Sequence, residues 1–261
     1  MRKIDFDKKN NKPLYAKTSK GNQPKWFMRG KWYKADSFGY ESLSEIVVSR
    51  LLAGQGVDAV SYESTWIVHN DRIKPGCFSK DFKRKDEELI TIEKLGLVYN
   101  GKALSSQLAT IPSTKDKIKY TVDMIETVCE IKNAGEALTR LLEIDAFFLN
   151  EDRHTNNIAL LYNNDEASWR FAPIYDNGLS LLSDTRSYPI NEHISSLKKQ
   201  VKAKPFSRKF DSQVKAAESL YGVQWQAKFS EQDVDEALVD LAEYYDEKTL
   251  VRVRNIIRSQ R

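Results

Sequence analysis

The chain of 261 residues is long enough for one large domain or two small lobes. Its 41% hydrophobic content, including 11 Phe, 12 Tyr and 5 Trp, supplies a sizeable core and excludes a disordered chain. The 41 basic and 37 acidic residues leave a formal charge of +4, too small to mark a nucleic-acid binder, so no direct nucleic-acid contact is expected.

In chain order, the first 80 residues are expected to form short strands around one helix. Residues 25–36, KWFMRGKWYKAD, read as two extended runs around a tight turn at Arg29-Gly30. Residues 41–54, ESLSEIVVSRLLAG, place Leu43, Ile46, Val47, Leu51 and Leu52 on one helical face, with Gly54 as terminator. A further strand is expected over 59–68, and PGCFSKDF (75–82) is the candidate hinge. After about residue 115 the pattern turns helical, in KIKYTVDMIETVCEI and again in GEALTRLLEIDAFFLN. NIALLYN and SWRFAPIYD then read as two strands joined by the turn Asn163-Asn164-Asp165, and 211–258 is mostly helical. The basic run Lys198–Lys209 (KKQVKAKPFSRK) is expected to be a solvated loop. The fold class is therefore α+β and two-lobed: a β-rich N-lobe over 1–80 and a larger, mainly helical C-lobe over 81–261.

Cys77 and Cys129 lack the spacing of a disulfide framework or a zinc site, and His69, His154 and His193 are scattered. MRKIDFDKKNNK has no apolar signal-peptide core and no run approaches a membrane span, so a soluble, cytoplasmic protein without membrane contact is expected.

The chemistry concentrates in LNEDRHTNNIALL, residues 149–161. A lone Asp in a loop is ordinarily a cap or turn former. Here Asp152 and Asn157 stand at the two ends of a loop between a helix and a strand, and PIYDNG places Asp176 at the end of the next strand. Oxygen ligands of this kind suit Mg²⁺, which takes one or two carboxylates together with phosphate oxygens and water. Phosphoryl transfer asks a protein for positioned charge and an oriented nucleophile. One Asp can receive the acceptor hydroxyl, while the Asn and the second Asp hold metal. The matching cation on the β-rich lobe is Lys34, with Lys31 on the opposite strand face and Lys25 near the turn as rivals. Its helical acid is Glu45, with Glu41 as runner-up. TSKGNQPK, containing Gly21, Asn22 and Gln23, is a turn whose backbone N–H groups can approach phosphates. Arg153 is expected to pair with an acid inside the fold. Asp145 either anchors the loop or lies on a helix surface, and His154 either meets a phosphate or buttresses the loop.

The order G-N-Q-P-K, Y-K, a helical Glu, D-R-H-x-N-N and Y-D resembles the HipA-like serine/threonine kinases over roughly residues 15–180. The DRHxxN loop is also similar to that of phosphatidylinositol kinases. The resemblance implies a protein-kinase-like fold, ATP and Mg²⁺ as cofactors, and a protein Ser/Thr substrate. It favours Lys34 as the α/β-phosphate contact, Asp152 as the catalytic acid, and Asn157 and Asp176 as Mg²⁺ ligands. Further implications are an antitoxin-like partner, as in toxin–antitoxin pairs, and autophosphorylation at Ser19 or Thr18 in the Gly-containing turn. The local order Asp-Arg-His departs from the His-Arg-Asp of ordinary protein kinases, and Asp-Asn-Gly (176–178) lacks their phenylalanine. Members of the family carry an additional N-terminal subdomain, so the chain resembles a minimal kinase core. A small-molecule or lipid kinase on the same core is the second enzyme reading. A nucleotide-binding pseudokinase acting as an interaction module is the third.

Overall fold

The structure, a computed structural model, describes residues 3–8, 12–14 and 23–261. Thr18, Ser19, Gly21 and Asn22 lie outside the described residues. The first elements are strands β1 (Lys3–Asp5), β2 (Lys25–Met28) and β3 (Lys31–Ala35), helix α1 (Glu41–Ala53), and strands β4 (Glu63–His69), β5 (Arg72–Lys80) and β6 (Glu87–Thr91). Helices α2 (Ile92–Asn100), α3 (Leu104–Thr110), α4 (Thr114–Cys129) and α5 (Ala134–Phe148) follow, then strands β7 (Ala159–Asn163) and β8 (Ser168–Phe171). The last are α6 (Ile194–Lys198), α7 (Phe210–Tyr221), α8 (Glu231–Leu238) and α9 (Glu247–Arg258).

Two compact units result. The first contains residues 1–82, 175–200 and 228–261; the second contains 83–174 and 201–227. Both are discontinuous in sequence, because a chain segment joins the unit that buries its apolar face.

In the first unit a five-stranded sheet has the order β1-β4-β5-β3-β2, with β1 parallel to β4 and the other pairs antiparallel. The β2–β3 hairpin closes through Arg29 (φ 51°) and Gly30 (φ 70°). Two left-handed residues in succession match the right-handed twist of the flanking strands. Phe6, Trp26, Tyr33, Ala35, Ile67 and Phe78 form an aromatic core cluster, in which Phe6 and Trp26 stack with centroids 4.4 Å apart. Strand alternation then turns Lys34, next to Tyr33, away from that cluster. Helix α1 packs against β3, β4 and β5. It is buried nearly all round, with Ser42, Ser44 and Glu45 as inaccessible as Leu43 and Ile46, so it behaves as a core helix rather than a surface one. The stretch considered as a hinge is mostly strand, since Pro75–Lys80 belongs to β5.

The start of α1 is held by two acids. Glu41 accepts hydrogen bonds from the N–H groups of Ser37, Phe38 and Gly39 at 2.7–3.0 Å. Asp36 accepts from Ser42 N–H and from the Tyr245 hydroxyl, each at 2.7 Å.

The second unit carries a smaller antiparallel sheet, β6-β7-β8. At the β7–β8 turn, Asn163 Oδ1 accepts from the N–H groups of Asp165 (2.9 Å) and Glu166 (2.8 Å). Arg170 on β8 reaches across β7 to Glu87 on β6 through bonds of 2.8 and 2.9 Å. Helices α2, α4, α5 and α7 enclose an apolar core that includes Leu95, Ile118, Met124, Ile125, Leu138, Leu142 and Phe206. None of the helices among the described residues is long and apolar enough to cross a membrane.

Asp36 gives a pH test of the first unit. Burial, reinforced by the neighbouring Glu41 carboxylate, pushes its carboxyl up from 3.8 to about 8. The folded chain therefore retains a proton there that the unfolded chain releases near pH 4, and stability should fall as pH rises from about 4 to about 8. One such proton contributes a slope of at most roughly 1.4 kcal/mol per pH unit. Asp36→Asn, which cannot ionise, should flatten the pH dependence of the urea midpoint. An unchanged slope would exclude Asp36 as its source.

Candidate active site

Each unit assembles one set of polar side chains. In the first, Lys34 on β3 points its ammonium between two carboxylates. It pairs closely with Glu45 on α1, and its Nζ lies 2.8 Å from Asp176 Oδ1. Lys34 and Glu45 are 7% and 0% exposed, so a charge left there without partners would be costly. Burial would lower the Lys34 pKa, but Asp176 and Glu45 outweigh it and hold the ammonium well above its ordinary value. The Tyr62 ring faces the same ammonium at 5.3 Å.

Glu45 also accepts from the backbone N–H of Asn177 through its other oxygen, at 2.8 Å. One buried carboxylate thus fixes both the lysine and the residue after Asp176. Asp176 itself is left-handed (φ 59°), a conformation that Asp tolerates better than most side chains. The segment beyond it is fastened to α1: Ser44 Oγ donates to the Ser180 carbonyl (2.8 Å), and the Tyr40 hydroxyl donates to the Leu181 carbonyl (2.7 Å).

Lys25 is the cross-strand partner of Lys34, and its Nζ lies 3.5 Å from Asp176 Oδ2. It joins Lys34 at Asp176 because directly opposed residues share a sheet face. Lys31 instead sits over the Phe78 ring at 4.5 Å. Glu41 is spent on the backbone before α1. Of Gly21, Asn22 and Gln23, Gln23 is the described one, and its Nε2 is buried with no hydrogen-bond partner among the described residues.

In the second unit α5 ends at a left-handed Leu149 (φ 57°), turning the chain into the loop. Arg153 is 1% exposed and clamps that loop from inside. Its guanidinium donates to both oxygens of Asp145 on α5 at 2.9–3.2 Å and to the Asn157 carbonyl at 2.9 Å. Burial pushes the Asp145 carboxyl up while Arg153 draws it back. Asp145 is thus an anchor beneath the loop, not a helix-surface residue. Asn157 donates its Nδ2 to the Asp152 carbonyl (2.9 Å), which leaves Oδ1 as its acceptor end. His154 accepts from Asn156 N–H at Nδ1 (3.2 Å), so a neutral ring carries its proton on Nε2, 3.8 Å from Asp152 Oδ2. Lys204, in the run expected to be a solvated loop, instead donates to Asp152 Oδ1 at 3.0 Å.

Asn157 Oδ1 and the Asp176 carboxylate are hard oxygen donors of the kind Mg²⁺ takes. Among the described residues no group of three or more His, Cys, Asp or Glu could hold a metal. Taken singly, each of these donors would leave most of an Mg²⁺ ion's coordination to phosphate and water.

No protein-family model matches the chain, and no curated protein matches it in sequence. Solved structures do. The Helicobacter pylori proinflammatory kinase CtkA matches with a TM-score of 0.66 at 15% identity, over 99% of this chain and 94% of that one. HipA of the Shewanella oneidensis MR-1 toxin–antitoxin system, solved with HipB and operator DNA, matches with a TM-score of 0.56 at 13% identity. The chain has the fold of the HipA-like kinases. At these identities the likeness is one of fold: α+β and two-lobed, with a curled sheet. The match with HipA covers 95% of this chain but 64% of that one.

Asp145→Ala would strand the Arg153 guanidinium in the interior, and should cost about 3–5 kcal/mol of stability. Asp145→Ala/Arg153→Met, which removes both charges, should recover a large part of that loss. Urea unfolding of the two variants checks this, and equal midpoints would mean that the pair is not what anchors the loop.

Proposed function

We propose that the chain is an ATP- and Mg²⁺-dependent phosphotransferase whose acceptor is a serine or threonine hydroxyl of a protein. The observation that carries this reading is the double use of Glu45, which holds the Lys34 ammonium and the backbone N–H of Asn177, the residue after Asp176, together. A purely structural ion pair has no need to hold a second carboxylate against the same lysine.

In this reading Lys34 binds the α/β-phosphate oxygens as a fixed point charge, and Glu45 keeps it aimed. Gln23 would face the phosphates. Asn157 Oδ1 and the Asp176 carboxylate would hold Mg²⁺, which when bound neutralises phosphate charge. Asp152 orients the acceptor hydroxyl and accepts its proton, while His154 Nε2 borders the same carboxylate. Arg153 and Asp145 do no chemistry; they hold Asp152 and Asn157 in one loop conformation. The retention of Lys34, Asp152, Asn157 and Asp176 supports turnover over a role as a binding module. The HipA neighbour was solved with HipB. A HipB-like partner and a cytoplasmic setting belong to the same proposal.

Three variants separate the roles. Asp152→Ala should lower turnover by about 100-fold or more while ATP affinity is kept. Lys34→Ala should weaken ATP binding, and Asp176→Asn should abolish the Mg²⁺-dependent part of nucleotide stabilisation. The whole Mg-ATP stabilisation of the wild type is about 2.7 kcal/mol at a hundredfold excess over Kd. ATP binding without any turnover in the wild type would favour the pseudokinase reading. Transfer to lipid or small-molecule hydroxyls alone would move the acceptor class.

A further inference from the structure

Lys204 is a lysine in an unusual place. It lies in KKQVKAKPFSRK, a run whose charges are expected to face water, and Lys202, Arg208 and Lys209 do so. The apolar residues between them do the opposite: Val201, Ala203 and Phe206 are buried, and Phe206 belongs to the core of the second unit. Ala203 N–H also donates to the Arg208 carbonyl at 3.1 Å, closing the segment on itself. Lys204 is thus mounted on a packed turn, with its ammonium 3.0 Å from Asp152 Oδ1 and its side chain 30% exposed.

Shaping the loop does not require this contact. Main-chain bonds already do that at Asp152, whose N–H donates to Asn150 Oδ1 (3.0 Å) and whose carbonyl accepts from His154 N–H (2.8 Å) and Asn157 Nδ2 (2.9 Å). The Arg153 clamp fixes the rest. Lys204 engages the Asp152 side chain instead, the group that Proposed function assigns to the acceptor hydroxyl.

We propose that Lys204 is a catalytic residue of the transfer step, the cation that stabilises the phosphoryl group as it passes to the hydroxyl bound by Asp152. This rests on the phosphotransferase reading. An ammonium has three donors, so it can hold Asp152 with one and offer another to a phosphoryl oxygen. Charge in the transfer is spread over the three equatorial oxygens, and a preplaced cation beside the attacking oxygen lowers the barrier without reorganising. The hydroxyl gives its proton to Asp152 as its oxygen bonds to the γ-phosphorus. The bond from phosphorus to the β,γ-bridging oxygen breaks, ADP leaves with the electron pair, and Lys204 stays protonated throughout.

The test uses the full chain with Mg-ATP and a serine- and threonine-rich carrier protein, reading ADP formation, which counts transfer to every acceptor present, water included. Lys204→Met should lower kcat by about 100-fold, while KM for ATP and the Kd for ADP stay within about threefold. Lys204→Arg should recover at least about a tenth of the lost rate, since it returns the charge in a different shape. Thermal midpoints of both variants separate this from misfolding. A Lys204→Met protein as fast as an active wild type overturns the Lys204 assignment and leaves the phosphotransferase reading standing. So does an equal loss in both variants that tracks a lowered midpoint. A wild type that forms no ADP overturns both.

Discussion

A carboxylate with no solvent exposure is the constraint on which the first unit is organised. Glu45 is buried inside α1, so both of its oxygens need donors, because an unpaired buried charge costs several kcal/mol. One oxygen takes the Lys34 ammonium and the other takes the Asn177 N–H. β3, α1 and the loop after residue 175 are thereby registered against one side chain. Asp176 then completes the charge around Lys34, so a strand, the helix after it and a loop 142 residues from Lys34 share one electrostatic solution.

The second unit solves a comparable problem with the opposite charge. Arg153 is buried, and its guanidinium can be satisfied only by several acceptors in one plane. Asp145 supplies two and the Asn157 carbonyl another. The crowding of polar residues between 149 and 161 therefore has two sources. Arg153 serves the loop from below, together with Asp145 on α5, eight residues earlier. Asp152, His154 and Asn157 use the rigidity this provides.

The legibility of the chain followed the range of the interactions. The β2–β3 hairpin, α1, α4, α5 and the β7–β8 hairpin are readable because their signals are local: a two-residue turn with glycine, apolar residues at helical spacing, an Asn-rich turn. β5 was harder, since a Pro and a Gly within Arg72–Lys80 read as punctuation, and only pairing with β3 and β4 makes that stretch a strand. The run from Lys198 to Lys209 is not wholly solvated, for a related reason. Its charges dominate the pattern, whereas Val201, Ala203 and Phe206 decide where it packs.

What the sequence by itself determined was the chemical inventory and its order: a lysine on an early strand, an acid on the next helix, an Asp–Asn loop and a later Asp. Those are set by residue types at local spacings, and they carried the kinase resemblance. What only the tertiary structure decided was which side chains meet. Lys25 reaches Asp176 through strand register, Lys204 reaches Asp152 through a packed turn, and Glu45 binds a backbone N–H far along the chain. Burial compels the Glu45 contact, and in all three cases the partner lies tens of residues away, where spacing along the chain carries no information.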